Sequence, residues 1–336
     1  MRLHPFANRS LLTWCAAALL ASLFSSTPAR SAEQPARANT ALRVLTSFLP
    51  VHSMALAVAG DRAVVENWIP QGVDPHEFQF SPKDIRRLRE ARLLVVGGLM
   101  LEGWKLANLR EISGNPRLEL IEAAAGLGPG ELVATEAHAD ATAGSSKHDP
   151  HDGDGHDHHG TEGGPNPHFW LDPLLGAHAV TNLVRAFAEA DPANASVYQA
   201  NGQAYVARLK ALDAEYRERL ARVQSQAFIT FHDAFPYLAR RYGLRLAGVV
   251  ERNAAEDPSA RELANLAAVA RKENVRVLFV DGPPSRLARR IASDWRIRIA
   301  SLETLETGKL GPTAYEDGLR RNLQALVSGL AASDAK

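Results

Sequence analysis

The stretch that decides the fold is residues 192–223, which read PANASVYQANGQAYVARLKALDAEYRERLARV. This stretch has no proline after Pro192 and no glycine after Gly202, and its apolar residues recur at the spacing of one helix face. We expect a helix about 48 Å long at 1.5 Å per residue. A helix of that length between strand-rich segments indicates a linking helix, at residues 191–224, between two lobes.

Short apolar runs lie on both sides of this linking helix and alternate with helical patterns. The predicted strands are residues 42–47, 63–68, 93–96, 227–230, 245–250, 277–280 and 297–302. The alternation predicts an α/β fold with two lobes, each a mainly parallel sheet flanked by helices, joined by one long rigid helix. We place the N-terminal lobe at residues 40–190 and the C-terminal lobe at residues 225–333.

The composition limits the class of protein. The chain has 336 residues, with 38 basic and 38 acidic side chains, and no basic block stands out. We therefore expect no nucleic-acid partner. A single cysteine can form neither an internal disulfide nor a cysteine-based zinc site.

Residues 1–32 have the features of a signal peptide. Arg2 and Arg9 flank a polar start, and an apolar run follows at residues 11–24, with small residues after it. A membrane anchor needs roughly 20 apolar residues, so we favour cleavage and export. Cleavage after Ala29, Ala32 or Ala38 fits the pattern equally. Removal of residues 1–32 takes away three arginines and no acidic residue, which leaves a net charge of −3.

Residues 134–165 are rich in glycine, histidine, aspartate and serine, and they have almost nothing apolar to bury. This composition predicts a mobile surface loop within the N-terminal lobe. Its histidines are His138, His148, His151, His156, His158 and His159. Such side chains can collect metal ions, but more weakly than a preformed site, because ordering the chain costs about 1–2 kcal/mol per residue.

Four polar residues lie where a predicted strand ends or a predicted helix begins, namely His76, His168, His232 and Asp281. Ligands bind beyond the carboxyl ends of the strands in open α/β sheets, so we expect these residues to meet in the cleft between the lobes. Three imidazoles and one carboxylate suit zinc, whereas calcium and magnesium prefer oxygen ligands. Copper and nickel also fit this ligand type. Asp233 is placed to orient a ligating ring through a hydrogen bond.

Several motifs, taken in order, make the chain similar to the metal-binding, solute-binding proteins of bacterial ABC transporters for zinc and manganese. These motifs are residues 46–50, 72–78, 81–84, 101–104, 166–173, 231–235 and 280–281. The resemblance implies two α/β lobes joined by one long helix. It also implies that His76, His168, His232 and Asp281 are the metal ligands. In some zinc-binding relatives, water or another carboxylate completes the shell.

A histidine at position 232 resembles the zinc branch of the family, since manganese-binding relatives tend to have a carboxylate there. The resemblance therefore implies a monomeric periplasmic protein that delivers Zn²⁺ to a membrane permease and its ATPase. A metallochaperone that loads the site and a manganese- or copper-binding role are left open. The alternatives from other classes are an exported zinc hydrolase and a metal-buffering surface protein. No short histidine pair outside the loop supports a hydrolase, so we expect no enzymatic activity.

Overall fold

The computed structural model describes residues 41–103, 108–135, 164–223, 226–251 and 258–331. The predicted signal peptide and the six histidines of the predicted loop lie outside the described residues. Residues 41–336 form one unit, and the predicted lobe boundaries within it stay predictions.

The first sheet has four parallel strands in the order β2-β1-β3-β4. The strands are β1 (Leu42–Thr46), β2 (Ala63–Asn67), β3 (Leu93–Val96) and β4 (Glu119–Glu122). The first three lie where the sequence predicts them. Strand β4 was not predicted, because its ELIE sequence has two charged residues and only two apolar ones.

The second sheet repeats this arrangement with four parallel strands in the order β6-β5-β7-β8. Its strands are β5 (Ala227–His232), β6 (Arg245–Glu251), β7 (Val277–Val280) and β8 (Arg298–Ser301). Strand β5 extends two residues further than predicted, so that His232 is the last residue of the strand.

Helices connect the strands and cover both sheets. Within the described residues they are α1 (Leu49–Ala59), α2 (Pro82–Leu88), α3 (Leu109–Ser113), α4 (Pro173–Ala190), α5 (Ala195–Leu220), α6 (Pro236–Tyr242), α7 (Ala260–Lys272), α8 (Arg286–Trp295) and α9 (Ala314–Leu330). Parallel neighbouring strands need such crossovers, and the predicted fold class is confirmed.

Helix α5 corresponds to the predicted linking helix. A 3₁₀ turn at Pro192–Asn194 comes first, and α5 then runs for 26 residues, about 39 Å. Its buried face carries Tyr205, Leu209 and Leu212 at helical spacing, as the sequence predicts. Helix α5 contacts α1, α4 and α9, so it packs on helices attached to both sheets.

The largest hydrophobic core contains side chains of both sheets together with α1, α4, α5 and α9. Val44 and Val95 enter it from the first sheet, and Phe228 and Phe279 enter it from the second. Two smaller cores cover the other face of each sheet. The shared core fixes the carboxyl edges of the two sheets relative to each other. Among the described helices, none is both long and apolar enough to cross a bilayer.

Candidate metal centre

His76 lies in the segment that connects β2 to α2. Its backbone N–H donates to Asp74 Oδ1 at 2.8 Å, which closes a short turn directly before the histidine. Gly72 has φ +83°, a conformation that residues with a side chain rarely adopt. These local constraints hold His76 beyond the carboxyl end of the first sheet.

His168 directly precedes a 3₁₀ turn at Phe169–Leu171 and helix α4. The helix begins at a proline, and Asp172 caps it by accepting a hydrogen bond from Leu174 N at 2.9 Å. His168 is only 2% exposed, and its ring lies 5.2 Å from the Trp170 ring. The proline and the capping aspartate at the start of α4 therefore hold the buried His168 ring in place.

The second sheet supplies His232 at the end of β5 and Glu306 in the segment between β8 and α9. Trp170 Nε1 donates to the carbonyl of Thr304 at 2.8 Å, which ties this segment to the His168 turn. Leu305 has φ +64° and is 2% exposed, so packing holds a backbone conformation that a leucine rarely adopts. Glu306 follows this strained residue.

Four side chains converge at this place: His76, His168, His232 and Glu306. Their ligand atoms all lie within 4.8 Å of one another, and they form the one such group among the described residues. Glu306 Oε1 lies 2.9 Å from Nε2 of His76 and 2.9 Å from Nε2 of His168. The Nε2 atoms of His168 and His232 are 3.3 Å apart.

These separations are close to those of a tetrahedral metal site. Four ligand atoms at 2.0–2.1 Å from one ion stand about 3.3–3.4 Å apart. The distance between the His168 and His232 nitrogens already has this value. The two contacts to Glu306 are hydrogen bonds that need to open by about 0.4 Å to admit an ion at the centre.

The electrostatics keep the carboxylate charged. Burial alone would raise the pKa of Glu306, but the charge and hydrogen bond of His168 and the hydrogen bond of His76 hold it well below its usual range. Burial lowers the pKa of His76, but the hydrogen bond and charge of Glu306 outweigh it, and the net pKa is raised. Burial, together with the nearby His168, lowers the pKa of His232 to about 4. At neutral pH the group offers an anionic oxygen and a neutral imidazole at His232.

Asp281 does not belong to this group, and Glu306 occupies the position that the sequence analysis gave to Asp281. Asp281 Oδ2 accepts hydrogen bonds from Thr304 N at 3.0 Å and from Thr304 Oγ1 at 2.6 Å. The side chain therefore anchors the segment that carries Glu306. The physical reason for the difference is that Asp281, at the end of an inner strand, uses its carboxylate on Thr304, whereas Glu306 follows the edge strand β8 and reaches the histidines.

Asp233 is buried next to His232. Its backbone carbonyl accepts a hydrogen bond from Asn166 Nδ2 at 2.9 Å. The orienting role predicted for its carboxylate stays a prediction.

His52 and His178, two described histidines that are not among the predicted ligands, lie outside the group. His52 Nδ1 is 2.8 Å from Thr46 Oγ1, and burial lowers the pKa of His52 to about 4. His178 Nε2 is 2.8 Å from the carbonyl oxygen of Ala125.

Sequence reasoning missed Glu306. Glu306 lies in the polar run LETLET, where no proline or capping motif marks it. The available signal was its position a few residues beyond a parallel strand, the criterion that selected Asp281.

The fold and this group of ligands define a class: solute-binding proteins that hold one cation beyond the carboxyl edges of two parallel sheets. The family model described as zinc-uptake complex component A, periplasmic, matches residues 44–329, and the chain belongs to this family. The family consists of solute-binding proteins without enzymatic activity, which argues against the hydrolase alternative.

Known relatives are similar over most of the chain. The high-affinity zinc uptake system protein ZnuA of Bacillus subtilis is 30% identical over 294 residues, which cover 86% of this chain and 88% of the relative. The Ni²⁺ complex of the solute-binding protein FpvC from Pseudomonas aeruginosa has a TM-score of 0.71 and 27% identity, covering 88% of this chain and 99% of that one. Zn(II)-bound AdcA from Streptococcus pneumoniae has a TM-score of 0.68 and 25% identity, covering 87% of this chain and 58% of that longer one.

Proposed function

We propose that this protein captures one Zn²⁺ ion with His76, His168, His232 and Glu306. It then delivers the ion to the permease and ATPase of an ABC transporter. The observation that carries the proposal is the convergence of three ring nitrogens and one carboxylate oxygen within 4.8 Å. These side chains come from four separate segments, so their meeting is a product of the whole fold.

The chemistry of the four ligands supports zinc. Zinc accepts mixed nitrogen and oxygen ligands in four-coordinate sites, whereas magnesium requires near-octahedral oxygen coordination. Affinity order alone favours copper over zinc at nitrogen ligands, and solved structures of relatives contain Ni²⁺, Mn²⁺ and Zn(II). Manganese and copper are therefore the metals against which zinc must be tested.

Family membership supports the transport role and the periplasmic location, because the family is described as the periplasmic component of a zinc-uptake complex. We place the mature protein in the periplasm after removal of residues 1–32. There it acts as a monomer that meets the permease. A metallochaperone that loads the four ligands is compatible with this scheme.

The histidines at positions 138, 148, 151, 156, 158 and 159 form an auxiliary group that collects zinc weakly and passes it to the four-ligand site. The described ends of this segment are adjacent: Thr135 N donates to the carbonyl of Gly164 at 2.9 Å, and Ala134 pairs with Pro165. A short linker can therefore replace residues 136–163 without moving the described backbone.

The test is a calorimetric titration of this linker-replaced variant with zinc, followed by competition with manganese and copper. We expect one tight zinc site per chain that manganese does not displace. Alanine at His76, His168 or His232 should each weaken binding sharply. Alanine at His178 is the matched control, since that ring hydrogen-bonds a backbone carbonyl and lies outside the four-ligand group. A linker-replaced variant without a tight site would reject the proposal.

A further inference from the structure

Asn166 lies behind His168, on the side away from the other ligands, and is 1% exposed. Its Oδ1 accepts the backbone N–H of His168 at 3.0 Å and lies 2.9 Å from His168 Nδ1. Its Nδ2 donates to the carbonyl of Asp233 at 2.9 Å. One buried amide therefore contacts His168 directly and also the residue that follows His232.

The orientation of this amide is determined by its neighbours. A backbone N–H can only donate, so the atom that faces His168 N is the amide oxygen. A backbone carbonyl can only accept, so the atom that faces Asp233 is the amide nitrogen. The oxygen that faces His168 Nδ1 must then receive a proton from that nitrogen.

The two nitrogens of His168 therefore have different roles. Nδ1 carries the proton that Asn166 accepts, and Nε2 faces Glu306 and His232. In the metal-free protein Nε2 also donates a proton to the Glu306 carboxylate, and a bound metal ion displaces that proton. A metal ligand needs a free lone pair on one ring nitrogen, and the hydrogen bond at the other nitrogen decides which one is available.

We propose that Asn166 is a positioning residue for metal binding: its side-chain oxygen holds the Nδ1 proton of His168, so that Nε2 is the nitrogen offered to the ion. Its amide nitrogen, bound to the Asp233 carbonyl, keeps that oxygen from turning away. This inference rests on the proposed function and assigns a role to a residue outside the ligand set. Losing a partner of this kind weakens metal affinity about 10- to 100-fold.

The experiment compares three variants on the chain with residues 136–163 replaced by a linker. Asn166→Ala removes the acceptor, and Asn166→Asp keeps an acceptor of the same shape for His168 Nδ1 while it loses the Nδ2 donor to the Asp233 carbonyl. Asn115→Ala is the matched control, because Asn115 is also a buried asparagine. Its Oδ1 likewise accepts a backbone N–H two residues later, and its Nδ2 donates to carbonyls. Asn115 has no histidine at the corresponding position.

We expect Asn166→Ala to lose 10- to 100-fold in zinc affinity, Asn166→Asp to stay within tenfold of the parent, and Asn115→Ala to stay within threefold. In ¹⁵N-labelled, zinc-loaded protein, the Nδ1–H resonance of His168 should be protected from exchange in the parent and in Asn166→Asp. It should be lost in Asn166→Ala, a change that general loosening of the fold would not confine to this ring.

The proposal is overturned if Asn166→Ala binds zinc as tightly as the parent, or if Asn166→Asp loses as much affinity as Asn166→Ala. If Asn166→Ala does not fold, the Asn166→Asp comparison and the resonance in the parent protein still decide the matter. A parent that binds no zinc would instead refute the proposed function. In that case the metal-free protein separates the two failures. Protection of the His168 Nδ1–H from exchange would show that the hydrogen bond to Asn166 is present even though zinc is not bound.

Discussion

The assignment of the fourth ligand makes a sharp prediction about two carboxylates. Glu306→Gln keeps the size of the side chain but removes its charge, in a place where the carboxylate is 8% exposed and has two nitrogens at 2.9 Å. Asp281→Asn also keeps size, and its amide oxygen can still accept the hydrogen bonds of Thr304.

The losses of zinc affinity expected for Glu306→Gln and Asp281→Asn differ by more than the error of a binding assay. Removing one partner of a buried, hydrogen-bonded charge group costs about 2–5 kcal/mol. For Glu306→Gln this corresponds to a loss of zinc affinity between about 30-fold and a few thousandfold. Asp281 lies outside the ligand group and is exposed, so the loss of its charge should cost less than about 1.4 kcal/mol, or tenfold.

The assay is competition for zinc against a fluorescent chelator, with the linker-replaced chain as the parent. Thermal unfolding of the metal-free variants checks that both fold. An equal loss of affinity in Asp281→Asn and Glu306→Gln would refute the assignment of Glu306 as the sole ligating carboxylate. Full affinity in Glu306→Gln would remove Glu306 from the ligand set.

Three further predictions concern stability, packing and protons. His52 has a pKa of about 4 when folded and about 6.5 when unfolded, so the unfolded chain binds the proton first and stability falls as pH drops from 6.5 to 4. The free energy of unfolding, measured with urea, falls between pH 6.5 and 4 in the parent. In His52→Gln this fall should be smaller by up to about 3 kcal/mol. A Cβ on Gly318 would overlap Leu305, so Gly318→Ala should weaken zinc binding by displacing the adjacent carboxylate. Gly311→Ala, which meets open space, should not. The raised pKa of His76 means that zinc must displace a proton already above pH 6.5, so competition titrations should show affinity falling steadily from pH 7.5 to 5.5. An unchanged affinity over this range would contradict the role of His76.

Patterns that a single segment determines were predictable from the sequence. The buried runs that became β3 and β7 matched to the residue, because apolar runs bounded by turn residues have few alternatives. The linking helix was predicted at 191–224, and α5 is Ala195–Leu220. The difference lies at the ends, where a 3₁₀ turn begins the segment.

Features that depend on tertiary packing were not predictable. Strand β4 is a short edge strand, and it is extended mainly because it pairs with β3 rather than because of its own sequence. Glu306 reaches the three histidines because Trp170 and Asp281 hold Thr304, and because packing keeps Leu305 in a left-handed conformation. The residues around position 306 in the sequence do not indicate these contacts, because the partners lie far away along the chain. The three histidines were found because rigid turns or a strand end mark each of them locally.

The wide separation of the ligands along the chain has a consequence for biosynthesis. His76 and Glu306 are 230 residues apart, and His168 lies between them. A nascent chain that has not yet reached residue 306, or a fragment cut before it, holds at most the three imidazoles. Under the proposed function, tight metal loading would therefore require that translation has passed residue 306 and that the fold has formed, and copies truncated before residue 306 would compete only weakly with intact ones for zinc.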